Sequence, residues 1–320
     1  MKADSSETEN ENAKQPGNAF AAFCILAAGC MWGSMGIWVR RCTAAGLDAM
    51  QILTLRVLVT SVLMTVFLSI YNRKLLYIRR KDLWCFLGTG ICSILFFGYC
   101  YNRTIVLASL SVAAILLYTA PVFVMILSRL LFGEQLSAKK VAALLMAFSG
   151  CVFVTGIAGS DSAVSTAGIL TGLGSGFGYA LYSIFSRFAL ERGYHPFTVT
   201  LYTFLCASVA ALFLADLPPL VDFVTETTGN FLYCIGYGVV TTVLPYILYT
   251  YGLSRIENGK ASIMATVEPV VATLLGILVF HEPMTLQGTV GIVLVLSALF
   301  LLNKKSIVSE KKQKKFREAS

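Results

Sequence analysis

The stretch MATVEPVVATLLG, Met264 to Gly276, sets a glutamate and a proline side by side inside a long apolar run. Neither suits a buried helix. A carboxylate is expensive at membrane depth. Proline removes an amide donor and leaves the carbonyl of Ala265 without its helical partner, and it pushes the residue before it away from helical geometry. Broken backbone at such depth is tolerated where it is buried in protein or lines a water-filled cavity. Lining a cavity, the break would offer polar backbone and Glu268 would offer an ionisable group. Burial disfavours the charged form of a carboxyl, so Glu268 is a candidate proton-exchanging group. The other reading is a neutral acid hydrogen-bonded to a neighbouring helix as a structural tie.

Further residues sit where the same chemistry could use them. Pro121, preceded by Tyr118 and Thr119, places a second kink and two hydroxyls at the middle of another apolar run. Trp32 and Ser34 lie in the outer half of the first run, and Tyr179 lies in a glycine-rich one; the aromatics could stack on a substrate or belong to an interfacial belt. Gly29 with Gly33, and Gly172 through Gly178, read as close helix packing. Tyr246 and Tyr249 follow Pro245 at helical spacing and share a face. Arg56 lies a few residues inside its run, where snorkelling to the interface competes with a role as counter-ion to a substrate carboxylate. Glu134 and Glu282 each precede a helix start, as capping residues would.

The elements that must position these residues are membrane helices. The chain is 57% hydrophobic and 13% charged, with mean hydropathy +0.74, against about 25% charge in a soluble domain. A spanning helix needs about 20 mostly apolar residues. Ten such stretches occur: 19–39, 50–70, 83–101, 109–131, 141–157, 168–188, 198–215, 231–251, 261–280 and 287–302. The N-terminal 18 residues are polar and acidic, unlike a signal peptide. With the N-terminus inside, only Arg40, Arg41 and Arg103 of the 25 basic residues fall outside and only Arg56 within a span. That bias predicts both termini in the cytoplasm. The tail Lys304–Ser320 is a basic strip, read first as a topology determinant and alternatively as a contact for anionic lipids. The nine cysteines lack C-x-x-C spacing and read as packing residues. The composition predicts no metal site, no cofactor and no nucleic-acid partner.

The two halves repeat. Tyr101–Ser137 aligns without a gap on Tyr249–Thr285 at an offset of 148, so that Tyr101 meets Tyr249, Pro121 meets Pro269 and Glu134 meets Glu282. Earlier, at an offset of 147, Gly29 meets Gly176, Trp32 meets Tyr179 and Arg40 meets Arg187. The position equivalent to Glu268 is Ala120, so a charge role there belongs to one half alone. A unit of five helices is odd, so the second copy enters the membrane from the opposite side. Inverted repeats of this kind give secondary transporters two related halves around a midplane site.

With APVFVMILSRLLFGEQLS and VEPVVATLLGILVFHEPMT closing the two halves, CMWGS in the first span and GYALYSIFSR in the sixth, the sequence resembles the EamA family of the drug/metabolite transporter superfamily over about residues 19–303. The resemblance implies ten transmembrane helices in two inverted five-helix bundles, residues 19–157 and 168–303, around a central cavity. It implies secondary transport, often outward, of amino acids, other metabolites or toxic compounds. His281 stands where the family has glycine.

The expectation is therefore an all-α plasma-membrane transporter for small metabolites, with a cavity lined by spans 1, 3, 4, 6, 8 and 9. An aromatic cavity with few charges suits neutral or zwitterionic compounds, amino acids by resemblance. Uncoupled exit, drug efflux, a membrane-embedded transferase and a non-transporting sensor are the competing readings. The transferase would need clustered His, Asp or Glu at an interface, which the sequence lacks, and the chain has no P-loop.

Overall fold

A computed structural model describes residues 16–155 and 165–303, and every regular element among them is helical. The acidic segment before residue 16, the linker 156–164 and the basic strip from Lys304 lie outside the described residues. The helical segments group into ten: α1 (Asn18–Ala44), α2 (Ala49–Tyr71), α3 (Arg80–Leu107), α4 (Leu110–Phe132), α5 (Ala138–Val154), α6 (Thr166–Glu191), α7 (Pro196–Ala211), α8 (Thr228–Leu253), α9 (Asn258–Phe280) and α10 (Leu286–Asn303). By length and composition α1–α4, α8 and α9 can each cross a membrane, while α7 and α10 are shorter apolar helices. Helix α6 is long, but Gly168, Gly172, Ser175, Gly176, Gly178 and Ser183 dilute its apolarity, and all of them are buried. Large apolar side chains such as Ile70, Leu130, Phe213 and Leu278 point out of the bundle, as a lipid-facing surface requires. One element is unexpected: Pro218–Glu226 forms a short helix whose Leu220 and Phe223 are buried near Leu55 and Tyr237.

The repeat is visible in the packing. Helix α2 packs on α7 and α5 on α10, each helix on its own twin. Helix α1 packs on α8 and α9, while its twin α6 packs on α3 and α4. At the α5–α10 crossing, Gly150 and Gly291 let two backbones touch. A Cβ on Gly291 would stand 2.6 Å from both the carbonyl oxygen of Gly150 and the amide nitrogen of Val154.

Both halves also carry matching irregularities. A π-helical stretch, Gly88–Leu95, interrupts α3, and Val239–Val243 interrupts α8 at the equivalent place. Helix α4 breaks at Tyr118–Thr119 and α9 at Thr266, just before the two prolines. Each of α4 and α9 ends on a left-handed residue, Gly133 (φ 67°) and His281 (φ 56°). The histidine keeps the same turn as the glycine despite its Cβ, so His281→Gly should stabilise the protein by roughly 0.5–1 kcal/mol. A small rise in thermal midpoint checks this; an unchanged or lower midpoint contradicts it.

Candidate functional site

The breaks decide where the polar groups go. Thr119 donates its hydroxyl to the carbonyl of Leu116 at 2.6 Å, and Thr266 donates to that of Ile263 at 2.6 Å. Ser34, at a third break in α1, donates to Met31 at 2.7 Å. These hydroxyls therefore stitch interrupted helix ends. Pro121 and Pro269 are both buried at the start of the segment that follows each break. Small residues make room for the breaks: a Cβ on Gly33 would stand 2.7 Å from the carbonyl oxygen of Glu268, and one on Gly176 would collide with Thr119.

Between the two halves lies a narrow cavity walled by Trp32, Phe97, Tyr179, Tyr182, Tyr246 and Tyr249, with Ser93, Ile94 and Ser183 among them. Its walls come from α1, α3, α6 and α8. Trp32 is only 6% exposed and lies edge-on to Tyr246 (5.2 Å between centroids) and Tyr179 (6.3 Å), and tilted to Tyr249 (5.3 Å). Such aromatic packing favours edge-to-face geometry and holds the rings rigid. Hydroxyl pairs fix the tyrosines: Tyr249 with Ser183 at 2.9 Å and Tyr182 with Thr250 at 2.7 Å. Tyr179, Tyr118 and Tyr101 stay half-buried although they lie deep in the bundle, and all three lie within electrostatic reach of Glu268.

Two charged side chains inside the helical bundle lie within electrostatic reach of Tyr246 in this wall. Glu268 is half-buried and makes no hydrogen bond or ion pair among the described residues; the tie to a neighbouring helix is absent. Arg56 does not snorkel. It is 6% exposed, its Nε has no partner, and its Nη1 reaches only the sulfur of Met35 at 3.3 Å. A guanidinium has five donors, and a buried charge is costly unless paired. Arg56 lies within electrostatic reach of Tyr246 and Glu268, yet no ion pair joins the two charges.

The structure thus brings Trp32, Tyr179, Tyr246 and Tyr249 into one wall, with Tyr118, Glu268 and Arg56 within electrostatic reach of it. Ser34, Thr119, Pro121 and Pro269 shape the breaks beside it. The sequence reading did not single out Phe97, Tyr182 and Ser183. Tyr182 and Ser183 stand three and four residues beyond Tyr179, the spacing of one helix face, and were legible on that ground.

An all-helical bundle of two repeated halves, with apolar helices long enough to span and a cavity between the halves, defines an integral membrane protein of transporter architecture. The model of the EamA-like transporter family matches residues 19–156 and 166–304, once in each half, so the chain belongs to that family. An uncharacterized transporter of Archaeoglobus fulgidus is 30% identical over 277 residues, covering 87% of this chain and 94% of its own. The uncharacterized inner membrane transporter YicL of Salmonella typhimurium is 25% identical, covering 87% and 93%. The uncharacterized transporter YetK of Bacillus subtilis is 26% identical, covering 77% and 76%. One solved crystal structure shares the fold with a TM-score of 0.73 at 16% identity, covering 89% of this chain and 97% of that one.

Proposed function

We propose that this protein exports small zwitterionic metabolites, amino acids foremost, from the cytoplasm across the plasma membrane by alternating access, with proton exchange at Glu268. The observation that carries the reading is the pair of opposite charges, Arg56 and Glu268, that form no ion pair among the described residues and lie within electrostatic reach of Tyr246 in the aromatic wall. A substrate carboxylate gives Arg56 the acceptor it lacks. A substrate ammonium suits Glu268, and the tryptophan and tyrosines receive the rest. A substrate that neutralises a buried charge gains affinity because the empty site holds that charge uncompensated. The sidedness rests on the bias of the basic residues, which supports both termini in the cytoplasm. The lipid bilayer is the protein's solvent, and the basic tail supports a contact with anionic headgroups.

Flux in proteoliposomes tests this, with three solute groups: amino acids, the matching amines without a carboxylate, and the matching carboxylates without an amine. Wild type should move the zwitterions best. Arg56→Gln should raise KM for carboxylate-bearing solutes at least about tenfold and affect the amines little. Arg56→Lys should restore only part, because an ammonium does not replace the bidentate fork. Amino-acid flux that is indifferent to Arg56→Gln would remove the arginine from the site. Preferential flux of hydrophobic cations would favour drug efflux.

A further inference from the structure

Glu134 and Glu282 occupy equivalent places in the two halves but hold different partners. Glu134 reaches the start of α9: Oε1 accepts from the amide of Asn258 at 2.7 Å and Oε2 from that of Gly259 at 3.1 Å. The first amides of a helix have no intrahelical partner and lie at the positive end of its dipole, so a carboxylate there is held by charge-assisted bonds. Lys140 adds an ion pair to Glu257 at 2.6 Å. The first half of α9 packs on the second half of α4. Within Asn258–Ala265 every residue but Lys260 is buried. This face of the bundle is shut.

At the opposite face the equivalent start of α4 packs on α3 and α6 rather than on α9, and its own Ser109 caps it, the hydroxyl accepting from the amide of Val112 at 3.2 Å. Ser109 and Leu110 are exposed, and in Leu110–Leu117 only Ala113 and Leu117 are buried. The first half of α4 makes no packing on the second half of α9 comparable to that at the shut face. Glu282, which symmetry would set on the amides of Leu110 and Ser111, instead binds Arg40 at 2.6 Å, and Arg40 stacks 3.8 Å over Phe280. Arg187, the twin of Arg40, pairs with Glu191 at 2.9 Å and donates to the carbonyl of Leu253, at the end of α8, at 3.0 Å, so its release to Glu134 would exchange one carboxylate for another. Two related halves thus hold the same groups in two different arrangements.

We infer that Glu134 and Glu282 are the two latches of an alternating gate, Glu134 engaged on α9 and Glu282 parked on Arg40 in this state. In the opposite state Glu282 engages the amides of Leu110 and Ser111, and Glu134 is released to Arg187. The difference between the two latches then sets the resting population, because each favours one state and is broken in the other. The purpose of the gate rests on the transport reading; its two states are read here without any substrate.

The test uses the full chain in nanodiscs, where both faces are open to water, with the nine native cysteines replaced. Single reporters at Leu110→Cys or Ala261→Cys are labelled with a water-soluble maleimide. The parent should label fast at 110 and slowly at 261. Glu134→Gln should speed labelling at 261 roughly tenfold and slow it at 110, since a charge-assisted bond becomes a neutral one. Glu282→Gln should leave 110 fast and keep 261 slow, and adding it to Glu134→Gln should return the ratio toward the parent. Should Glu134→Gln yield no folded protein, Glu134→Asp, one methylene too short, is read in the same way. Labelling unchanged by the Glu134 variants, or rising at both reporters together, would overturn the latches. Because labelling reads the empty protein, absence of flux leaves this result standing, and unchanged labelling leaves the transport reading untouched.

Discussion

Glu268→Gln removes the response of flux to an imposed pH gradient while leaving the bundle folded. Glutamine keeps the shape of the neutral acid but cannot give up or take a proton. The side chain makes no hydrogen bond or ion pair among the described residues, so its amide breaks no contact that holds α9 in place. One pH unit is worth about 1.36 kcal/mol per proton, so one-for-one exchange can sustain about a tenfold substrate gradient per unit. In proteoliposomes with two units imposed, wild type should accumulate substrate well beyond equilibrium, and Glu268→Gln should stop at equal concentrations on both sides. Downhill exchange should survive in the variant. A wild type that never responds to the gradient would make the protein a facilitator. A variant that still responds would place the coupling group elsewhere.

The second large effect is structural. Gly291→Leu should unfold or strongly destabilise the protein, because the new Cβ meets the Gly150 carbonyl and the Val154 amide at 2.6 Å, and backbone cannot step aside as a side chain can. Overpacking costs about 1–3 kcal/mol even where neighbours give way, so a loss of about 3 kcal/mol or more and a thermal midpoint roughly 5–10 °C lower are expected. The control is Gly36→Ala, where no atom lies within 4 Å of the added Cβ; its midpoint should hold or rise slightly, since alanine is the better helix former. Equal stability of Gly291→Leu and wild type would mean that the α5–α10 crossing is not a tight contact. This pair joins the two halves through twin helices, so the substitution also tests how the repeats are held together.

The ordering of elements could be read before any coordinates. Membrane helices announce themselves because lipid demands long apolar runs and satisfied backbones, and a repeat shows itself because equivalent environments retain equivalent residues, as at Pro121 with Pro269. Helix α6 was read as an apolar run like the others, although its composition falls short of the apolar spans, since its glycines and serines serve neighbouring helices rather than lipid. The short helix Pro218–Glu226 was not legible, because nine residues with two buried side chains carry little periodicity. The π-helical stretches in α3 and α8 were equally hidden. They arise where Gly88, Gly90 and Gly238 let neighbouring helices come close, a condition set by the partner helices.

For the site, the residue types alone identified Glu268, Pro269, Trp32 and the tyrosines as candidates, because a charge, a helix breaker or an amphipathic ring in an apolar run has few bland uses. Their partners could not be read in that way. Whether Arg56 reached the interface or stayed inside depended on what α1 offered it, and α1 offers only the sulfur of Met35. Whether Ser34 and Thr119 faced a cavity or their own backbone depended on where the helices break. The sequence by itself determined an inverted pair of five-helix halves and a family, since solvent and repetition act along the chain. Only the tertiary structure decided which charges go unpaired, and that two equivalent glutamates hold different partners, because those outcomes are set by neighbours distant in the chain and by one arrangement chosen from two.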